Sequence, residues 1–381
     1  MLGDADKLAQ ACYTPLMEFS RARRIQLTSL DVVSHYNVNG QLGTMVGFIP
    51  TGLAPLELPP QFFERVVWWP AIAHEIAHDW FAAAASISEG LRDELDLVSE
   101  QQGCQMMVWR ENKLSEEQLD QLLSAWFEEL FCDVVGTLML GPAYAWSMVA
   151  LFARPDAVEH VSTVAVKAGG IDPHPPRHLR VLVTAHILDL VGAHHQSHEV
   201  LKHWRQRHRG SPQTIAVPMS VGRQLSWVKL AAGPIVEAVI ELADMLFSEP
   251  FEALAGTELA RIPGLEYGPH GSGETTRIAD EILAQRPVHH ANPRWIIAGA
   301  VMAYHRQPHR EQEIMQRVRA AITAVGTFEQ APDAYQSERP TTTGPRLTQL
   351  REAFLLHTIL APPPALRRGR RAGLLDSPLL R

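Results

Sequence analysis

Residues 74–80 read "HEIAHDW", with two histidines four positions apart and a glutamate directly after the first. On an α-helix, His74 and His78 lie one turn apart on the same face, so both imidazoles can reach one metal ion while Glu75 projects beside them. A chain with 18 histidines also produces this spacing by chance, as a polar patch on a buried helix. A second signal elsewhere in the chain is therefore needed to distinguish a metal site from a chance pattern.

The composition is that of a globular protein with a large core. The chain has 381 residues, of which 46% are hydrophobic and 20% charged, enough for one large domain. Its formal net charge of -8 leaves no excess of basic residues to neutralise phosphates, which argues against a nucleic-acid partner. The three cysteines, Cys12, Cys104 and Cys132, form no CxxC pair and indicate a reducing compartment, so we expect a cytoplasmic protein.

One uncharged stretch is long enough to be considered as a membrane span. Residues 134–153 contain no formal charge over twenty positions, about the length that spans a bilayer. Gly141-Pro142 interrupts the run near its middle, and acidic residues precede it directly. The N-terminus has acidic residues early and no apolar core of a secretory signal. We therefore expect a buried core segment in a soluble protein, with membrane insertion as the alternative.

Apolar periodicity predicts a mainly α fold (α+β) with few strands. The predicted strands are 42–52 and 53–59, and loops are predicted at 169–177, 210–218 and 262–274. From residue 361 the composition changes to proline, arginine and glycine, so we expect one domain over 1–360 and a disordered tail over 361–381. The predicted helices cover 61–85, 116–153, 178–206, 224–248, 276–285, 295–325 and 346–360.

A third metal ligand is predicted from the stretch "WFEELFCD" at 126–133. A catalytic zinc site uses three protein ligands, and the two histidines supply only two of them. Glu128 and Glu129 lie about 100° apart around a helix, so only one of them can aim at the same ion. Glu129 has Asp133 one turn further on its own face, where that carboxylate can orient a histidine. Glu128 instead aligns with Cys132, and this pair remains a softer alternative ligand set.

The residues His74-Glu75-x-x-His78 followed by Glu129-x-x-x-Asp133 resemble the gluzincin zinc metallopeptidases. The stretch "HPPRHLR" at 174–180 resembles the HPPxxxR loop of their HtpX-like and CAAX-prenyl-protease-like branch, with His174 and Arg180 at the matching positions. The similarity covers roughly residues 70–180, and that branch is typically membrane-embedded with several hydrophobic spans. It implies a zincin-like core with a small edge sheet, to which this chain adds a large helical elaboration.

The resemblance implies one Zn²⁺ per chain, held by His74, His78 and Glu129, with Asp133 orienting His74. Glu75 is then the general base for a water that attacks a peptide bond. His174 or Arg180 is the candidate donor to the developing oxyanion, unless the 174–180 loop only braces the fold. The predicted strand at 42–52 is close enough to the metal helix to pair with an extended peptide or protein substrate. Tyr144 has only a weak claim to a substrate role and is expected to pack.

The same residues also fit a second functional class, a binding or regulatory protein. In it the site is occluded or catalytically silent, and the helical half after residue 181 binds or regulates a partner. His194, His195 and His198 lie at helical spacing, but we expect a solvated polar face rather than a second metal site. The sequence does not predict the substrate or the oligomeric state.

Overall fold

The computed structural model describes most of the chain up to residue 325. All of the described residues belong to one compact unit, Met1–Thr327. The predicted helix at 346–360, the predicted domain end at 360 and the predicted tail at 361–381 lie outside them. The described residues are 2–25, 27, 31–36, 43–44, 53–58, 60–83, 87, 90, 91, 93, 116–152, 166–167, 170–171, 174–208, 212–221 and 224–325.

Helices dominate the described residues, and the strands are short, which confirms the mainly α prediction. The first half of the chain contains α1 (Leu2–Ala22), β1 (Asp31–Tyr36), β2 (Gly43–Thr44), β3 (Leu53–Leu58), α2 (Ala71–Ala83), α3 (Glu116–Leu140) and α4 (Pro142–Phe152), with 3-10 turns at Pro60–Glu64 and Val66–Trp68. The second half contains β4 (Val166–Lys167), β5 (Gly170–Ile171), α5 (Arg177–Leu190), α6 (His194–Arg207), β6 (Thr214–Val221), β7 (Gln224–Ala231), α7 (Ala232–Ser248), α8 (Gly268–Leu283), α9 (Pro293–Arg306) and α10 (Glu311–Ala324).

A small sheet precedes α2 in the chain. Its strand order is β1-β3-β2, with β1 parallel and β2 antiparallel to the central strand β3. The predicted strand at 53–59 is β3, whereas β1 was not predicted. Of the predicted strand at 42–52, only Gly43–Thr44 is described, as β2, which lies at the edge of the sheet and packs against α2. The sheet thus places an edge strand beside the helix that carries His74 and His78.

The uncharged run predicted at 134–153 is described up to residue 152, and most of it lies in the core. Residues 129–149 are all buried, and α3 packs against α2, α4, α5 and α7. Gly141 has a φ of +53° and ends α3, and Pro142 begins α4, so the predicted break lies at the predicted place. The prediction of a buried core segment is confirmed. Within the described residues, no helix has both the length and the apolar character that a membrane span requires.

A buried guanidinium secures the end of α3. Arg294, at the start of α9, donates one hydrogen bond to the carbonyl oxygen of Met139 at 2.8 Å and another to that of Gly264 at 2.6 Å. Carbonyl groups in the last turn of a helix lack partners within the helix, and a cation there interacts favourably with the helix dipole. This contact ties the second half of the chain to the helix that carries Glu129.

One sequence-based helix prediction and one loop prediction were wrong at the hairpin β6–β7. Residues 224–231 were predicted as helix and 210–218 as loop, but Thr214–Val221 and Gln224–Ala231 pair as antiparallel strands. The apolar spacing in this short segment fits either period. Proline lacks the N–H that a central strand needs, but Pro218 is tolerated here because β6 pairs only with β7 among the described strands and is therefore an edge strand.

The prediction of a loop at 262–274 was also wrong in its second half, because α8 begins at Gly268. Gly271 lies against the Trp295 ring of α9, and a Cβ there would approach that ring to 2.7 Å. Gly299 of α9 in turn lies against Ile278 of α8. These glycines allow the two helices to pack closely. Three predicted helices are also divided: 61–85 begins with 3-10 turns, 178–206 breaks at Val191–Ala193, and 295–325 breaks at Gln307–Arg310.

A buried histidine makes the stability of the fold dependent on pH. The indole N–H of Trp204 donates to Nδ1 of His178 at 3.0 Å, and burial lowers the pKa of His178 to about 4. The unfolded chain binds this proton below about pH 6.5, whereas the folded chain does not until about pH 4. We therefore expect about 3 kcal/mol of the free energy of unfolding to be lost as the pH falls from 6.5 to 4.

Urea unfolding between pH 7.5 and 4.5 measures this loss. His178→Gln keeps a hydrogen-bond acceptor for Trp204 but does not titrate, so the acid-induced loss should be smaller in this variant than in the wild type. Equal loss in the two proteins would show that His178 does not carry the effect.

Candidate metal centre

The site is built where α2 crosses α3. His74 and Glu75 are buried on α2, and His78, one turn later, is partly exposed. The apolar residues of α2 pack into the core, so its polar face is directed toward α3 rather than toward solvent. The helix predicted from the opening stretch therefore forms, although it begins at Ala71 and not at residue 61.

Both histidines meet the carboxylate of Glu129. One carboxylate oxygen, Oε2, lies 3.2 Å from Nε2 of His74, and the other, Oε1, lies 3.3 Å from Nε2 of His78. The two Nε2 atoms are 3.0 Å apart. The three side chains predicted as metal ligands thus bring two imidazole nitrogens and both carboxylate oxygens of Glu129 into a space a few ångströms across.

The opposite nitrogen of each imidazole faces a carboxylate from α3. Nδ1 of His74 lies 3.2 Å from Oδ1 of Asp133, and Nδ1 of His78 lies 2.8 Å from Oε1 of Glu128. A carboxylate at Nδ1 favours the tautomer that carries its proton there, which leaves the lone pair of Nε2 available for a metal. The sequence predicted this role for Asp133, but it did not predict the role of Glu128.

Tyr144 and Arg180 complete the surroundings of Asp133. The hydroxyl of Tyr144 donates to Oδ1 of Asp133 at 2.6 Å and lies 3.1 Å from Nδ1 of His74. Two nitrogens of Arg180 donate to the two oxygens of Asp133, each at 2.7 Å, and a third lies 3.1 Å from Oε2 of Glu129. Tyr144 thus packs against the centre of the site and helps to orient His74.

Neighbouring positive charges and hydrogen bonds keep two buried carboxylates of the site ionised. Although burial opposes ionisation, Arg180 and hydrogen bonds from the histidines hold the pKa of Glu129 well below its ordinary value. The pKa of Asp133 is also lowered, since Arg180 and its hydrogen bonds outweigh the effect of burial. Burial likewise opposes protonation of His78, yet Cys132 and the two glutamates raise its pKa well above the ordinary value. A proton and a metal ion therefore compete for this imidazole, so metal affinity should fall in acid.

The chemistry of these donors fits a metal ion. When both imidazoles are neutral and direct their Nδ1 protons at carboxylates, the two rings present facing lone pairs 3.0 Å apart. The same space contains Oε2 of Glu129, which is buried and lies 3.1 Å from a nitrogen of Arg180 without hydrogen-bond geometry. Arg180 also lies 3.2 Å from Nε2 of His74, so its charge offsets part of the repulsion among these three acceptors, and a metal ion or an added proton between the two Nε2 atoms would offset the rest. Two imidazoles and one carboxylate are a ligand set that zinc commonly takes.

Cys132 brings a fourth donor to the same place. Ligand atoms of His74, His78 and Cys132 all lie within 4.8 Å of one another, so this group could hold a metal ion. The thiol is fully buried, and burial raises its pKa to about 12. In the absence of a metal it is therefore a neutral thiol. Of the softer Glu128 and Cys132 pair that the sequence left open, Cys132 thus lies with the two histidines, whereas Glu128 faces Nδ1 of His78.

The two candidate oxyanion donors differ in their freedom. Nε2 of His174 lies 3.1 Å from Oε1 of Glu129, and its side chain is 41% exposed. The side chain of Arg180 is only 6% exposed, and it is occupied by Asp133 and Glu129. His174 therefore lies at the solvent-exposed side of the site, whereas Arg180 holds Asp133 and Glu129 in place at its buried side.

The three histidines at helical spacing on α6 are exposed, unlike the histidines of the metal site. His194, His195 and His198 are all exposed on α6, and His194 makes a 3.3 Å contact with Asp189. This is the solvated polar face that the sequence predicts.

A glycine on α3 makes room for Tyr144. A Cβ at Gly136 would approach the Tyr144 ring to 2.5 Å, so Gly136→Ala should displace the ring and its hydroxyl from Asp133 and His74. We expect a loss of about 1–3 kcal/mol in the free energy of unfolding, the usual cost of overpacking a core. Thermal unfolding and zinc titration measure the two effects. Tyr144→Phe is the control, because it removes the hydroxyl without the overlap, and it should weaken zinc binding while changing stability less.

Comparison with known proteins identifies no relative: no family model, no curated protein and no solved structure matches the chain. Inference about its activity therefore rests on the geometry of the site.

Proposed function

We propose that the protein is a zinc-dependent peptidase with a zincin-like core and one Zn²⁺ per chain held by His74, His78 and Glu129. The observation that carries the proposal is that both Nε2 atoms contact the Glu129 carboxylate of α3. Each Nδ1 atom faces a second carboxylate of α3, that of Asp133 for His74 and that of Glu128 for His78. This arrangement supplies the three protein ligands of a catalytic zinc site and an orienting partner for each histidine. The gluzincin motifs of the sequence select the same residues.

The residues of this chain have separate tasks in peptide hydrolysis. When bound, zinc supplies a Lewis acid that acidifies water and polarises a carbonyl group. Glu75 accepts a proton from the attacking water and delivers it to the leaving amine. Asp133, Tyr144 and Glu128 hold the imidazoles in one tautomer and orientation. His174 donates to the carbonyl oxygen as negative charge develops there, and Arg180 keeps Asp133 and Glu129 ionised.

Substrate would approach along the small sheet. The edge strand β2 packs against α2, which carries Glu75 and both histidines. An exposed strand edge offers backbone groups to which an extended peptide can add as a further strand. We therefore propose an extended segment of a peptide or protein as the substrate.

Metal content and chelator sensitivity test the proposal together. The purified full-length protein should contain one zinc per chain, cleave unfolded casein, lose that activity with 1,10-phenanthroline and regain it with added zinc. Protein that binds no metal at neutral pH would contradict the metal site. Protein with one zinc and no cleavage of varied unfolded substrates would contradict the peptidase activity alone.

Cys132 favours a second candidate function, a binding or regulatory protein on a metallopeptidase scaffold. If the thiol joins His74, His78 and Glu129, four protein ligands close the site, as in structural zinc centres, and no position remains for water. Cobalt substitution separates the two candidates, because a thiolate ligand gives Co²⁺ a charge-transfer absorption band in the near ultraviolet. A peptidase predicts no such band and full zinc binding by Cys132→Ala. A closed site predicts the band and weaker zinc binding by that variant.

A further inference from the structure

A cavity is lined in part by α4, the helix that also carries Tyr144 of the metal centre. Its volume is about 440 Å³, within the range of small-molecule sites. It is walled by α4, α6, α9 and the 3-10 turn at Val66–Trp68. None of its lining residues belongs to the metal centre, although Tyr144 and Trp146 are separated by only one position on α4.

The walls of the cavity are aromatic. The ring of Trp146 stacks on His305 with centroids 3.7 Å apart and an angle of 27°, and it meets His203 edge-on at 5.5 Å. Trp68 and Tyr304 provide further aromatic surface in the lining. Flat walls of this kind favour a planar ligand, because stacked or edge-on rings gain energy beyond their buried area.

The lining contains two guanidinium groups, those of Arg65 and Arg207, and no carboxylate is among the described residues that line the cavity. Glu311, outside the lining, forms an ion pair with Arg65 at 2.6 Å and offsets its charge. Arg65 bonds to Glu311 and to the Tyr304 hydroxyl, which fixes its guanidinium at the wall. Burial and, after it, Arg207 lower the pKa of His203, while burial and His203 lower that of His305. The two imidazoles therefore stay neutral at pH 7 and provide ring surface and ring nitrogens.

From this cavity, its aromatic walls and its two guanidinium groups we infer a second binding site, for a small planar anion of the aromatic carboxylate class. One or two fused rings would insert between Trp68, Trp146 and Tyr304. The carboxylate would face Arg207 at the open side, where a charge-assisted hydrogen bond fixes its orientation. The site does not depend on the metal centre or on the peptidase proposal.

Titration calorimetry with two matched probes tests this inference. The probes are 1-naphthoate and the neutral alcohol 1-naphthylmethanol, which have the same ring system and differ in charge. We expect naphthoate to bind the full-length protein at least about tenfold more tightly than the alcohol, a difference of about 1.4 kcal/mol. Equal affinities, or binding of neither probe, would overturn the inference.

Two variants locate the bound probe. Ala150→Phe fills the cavity without removing a polar group, and Arg207→Gln removes the charge at its open side; each should weaken naphthoate binding about tenfold or more. Arg205→Gln is the matched control, because Arg205 is an exposed arginine of the same helix that does not line the cavity. Affinity that is unchanged by Ala150→Phe, or equally reduced by Arg205→Gln, would place the probe elsewhere and contradict the proposed site.

Discussion

Glu75→Gln is expected to retain zinc and to lose between about 10² and 10⁴ in turnover, the range found when a general base is removed. The introduced amide has nearly the same shape as the carboxylate of Glu75 but cannot accept a proton from water. The histidines and Glu129 do not depend on Glu75 for their positions, since their partners are Asp133, Glu128, Tyr144 and Arg180. The measurements are zinc content by mass spectrometry and cleavage of unfolded casein by the same protein sample.

Glu75→Asp is the conservative variant for this test. It keeps a carboxylate but moves it back by one methylene, so turnover should lie between those of the wild type and Glu75→Gln. Full activity in Glu75→Gln would remove Glu75 from the mechanism and contradict its proposed role as the general base. Loss of zinc together with loss of activity would instead show that Glu75 supports the ligand set, and the base would have to be sought elsewhere.

The ligands of the proposed site could be predicted from the sequence because their geometry is local. His74 and His78 share a helical face, as do Glu129 and Asp133, and each pair is set by a spacing of four residues. The role of Glu128 could not be predicted in this way. It depends on how α2 is rotated against α3, which places Nδ1 of His78 over this residue while Nε2 of the same ring faces Glu129. A signal was present, however: two adjacent carboxylates enter an apolar helix, and two histidines each need a partner at Nδ1.

Errors in the fold arose where local signals were ambiguous. Glycines in α8 favoured a loop because glycine is a poor helix former, yet Gly271 is required by the Trp295 ring of the next helix. Proline is acceptable in a strand only at the edge of a sheet, and whether a strand is at an edge is a property of the whole sheet. The local sequence of β6 therefore did not predict the β6–β7 hairpin. By contrast, the break at Gly141-Pro142 was predicted correctly. There the backbone restrictions of the residues themselves decide the structure.

Zinc affinity of two neighbouring variants should identify the carboxylate ligand. Glu129→Ala removes the carboxylate that contacts both Nε2 atoms, and we expect its affinity for zinc to fall by a factor on the order of 10³ or more, about 4 kcal/mol. Helix geometry alone predicts that Glu128→Ala keeps nearly full occupancy. The 2.8 Å contact from Glu128 to Nδ1 of His78 changes that expectation to a loss of about 10–100-fold, the usual effect of removing a group that orients a ligand.

Competition with a zinc chelator at pH 7.5 measures both affinities, and circular dichroism establishes that each variant is folded. Glu128→Gln refines the test, because its amide oxygen can still accept the Nδ1 proton of His78 and should restore most of the affinity lost in Glu128→Ala. If Glu128→Ala instead loses more zinc than Glu129→Ala, and Cys132→Ala loses it as well, the softer ligand set is the correct one. Glu129 would then be a carboxylate held by Arg180 beside the metal, and Asp133 would orient His74 within a closed site that lacks a position for water.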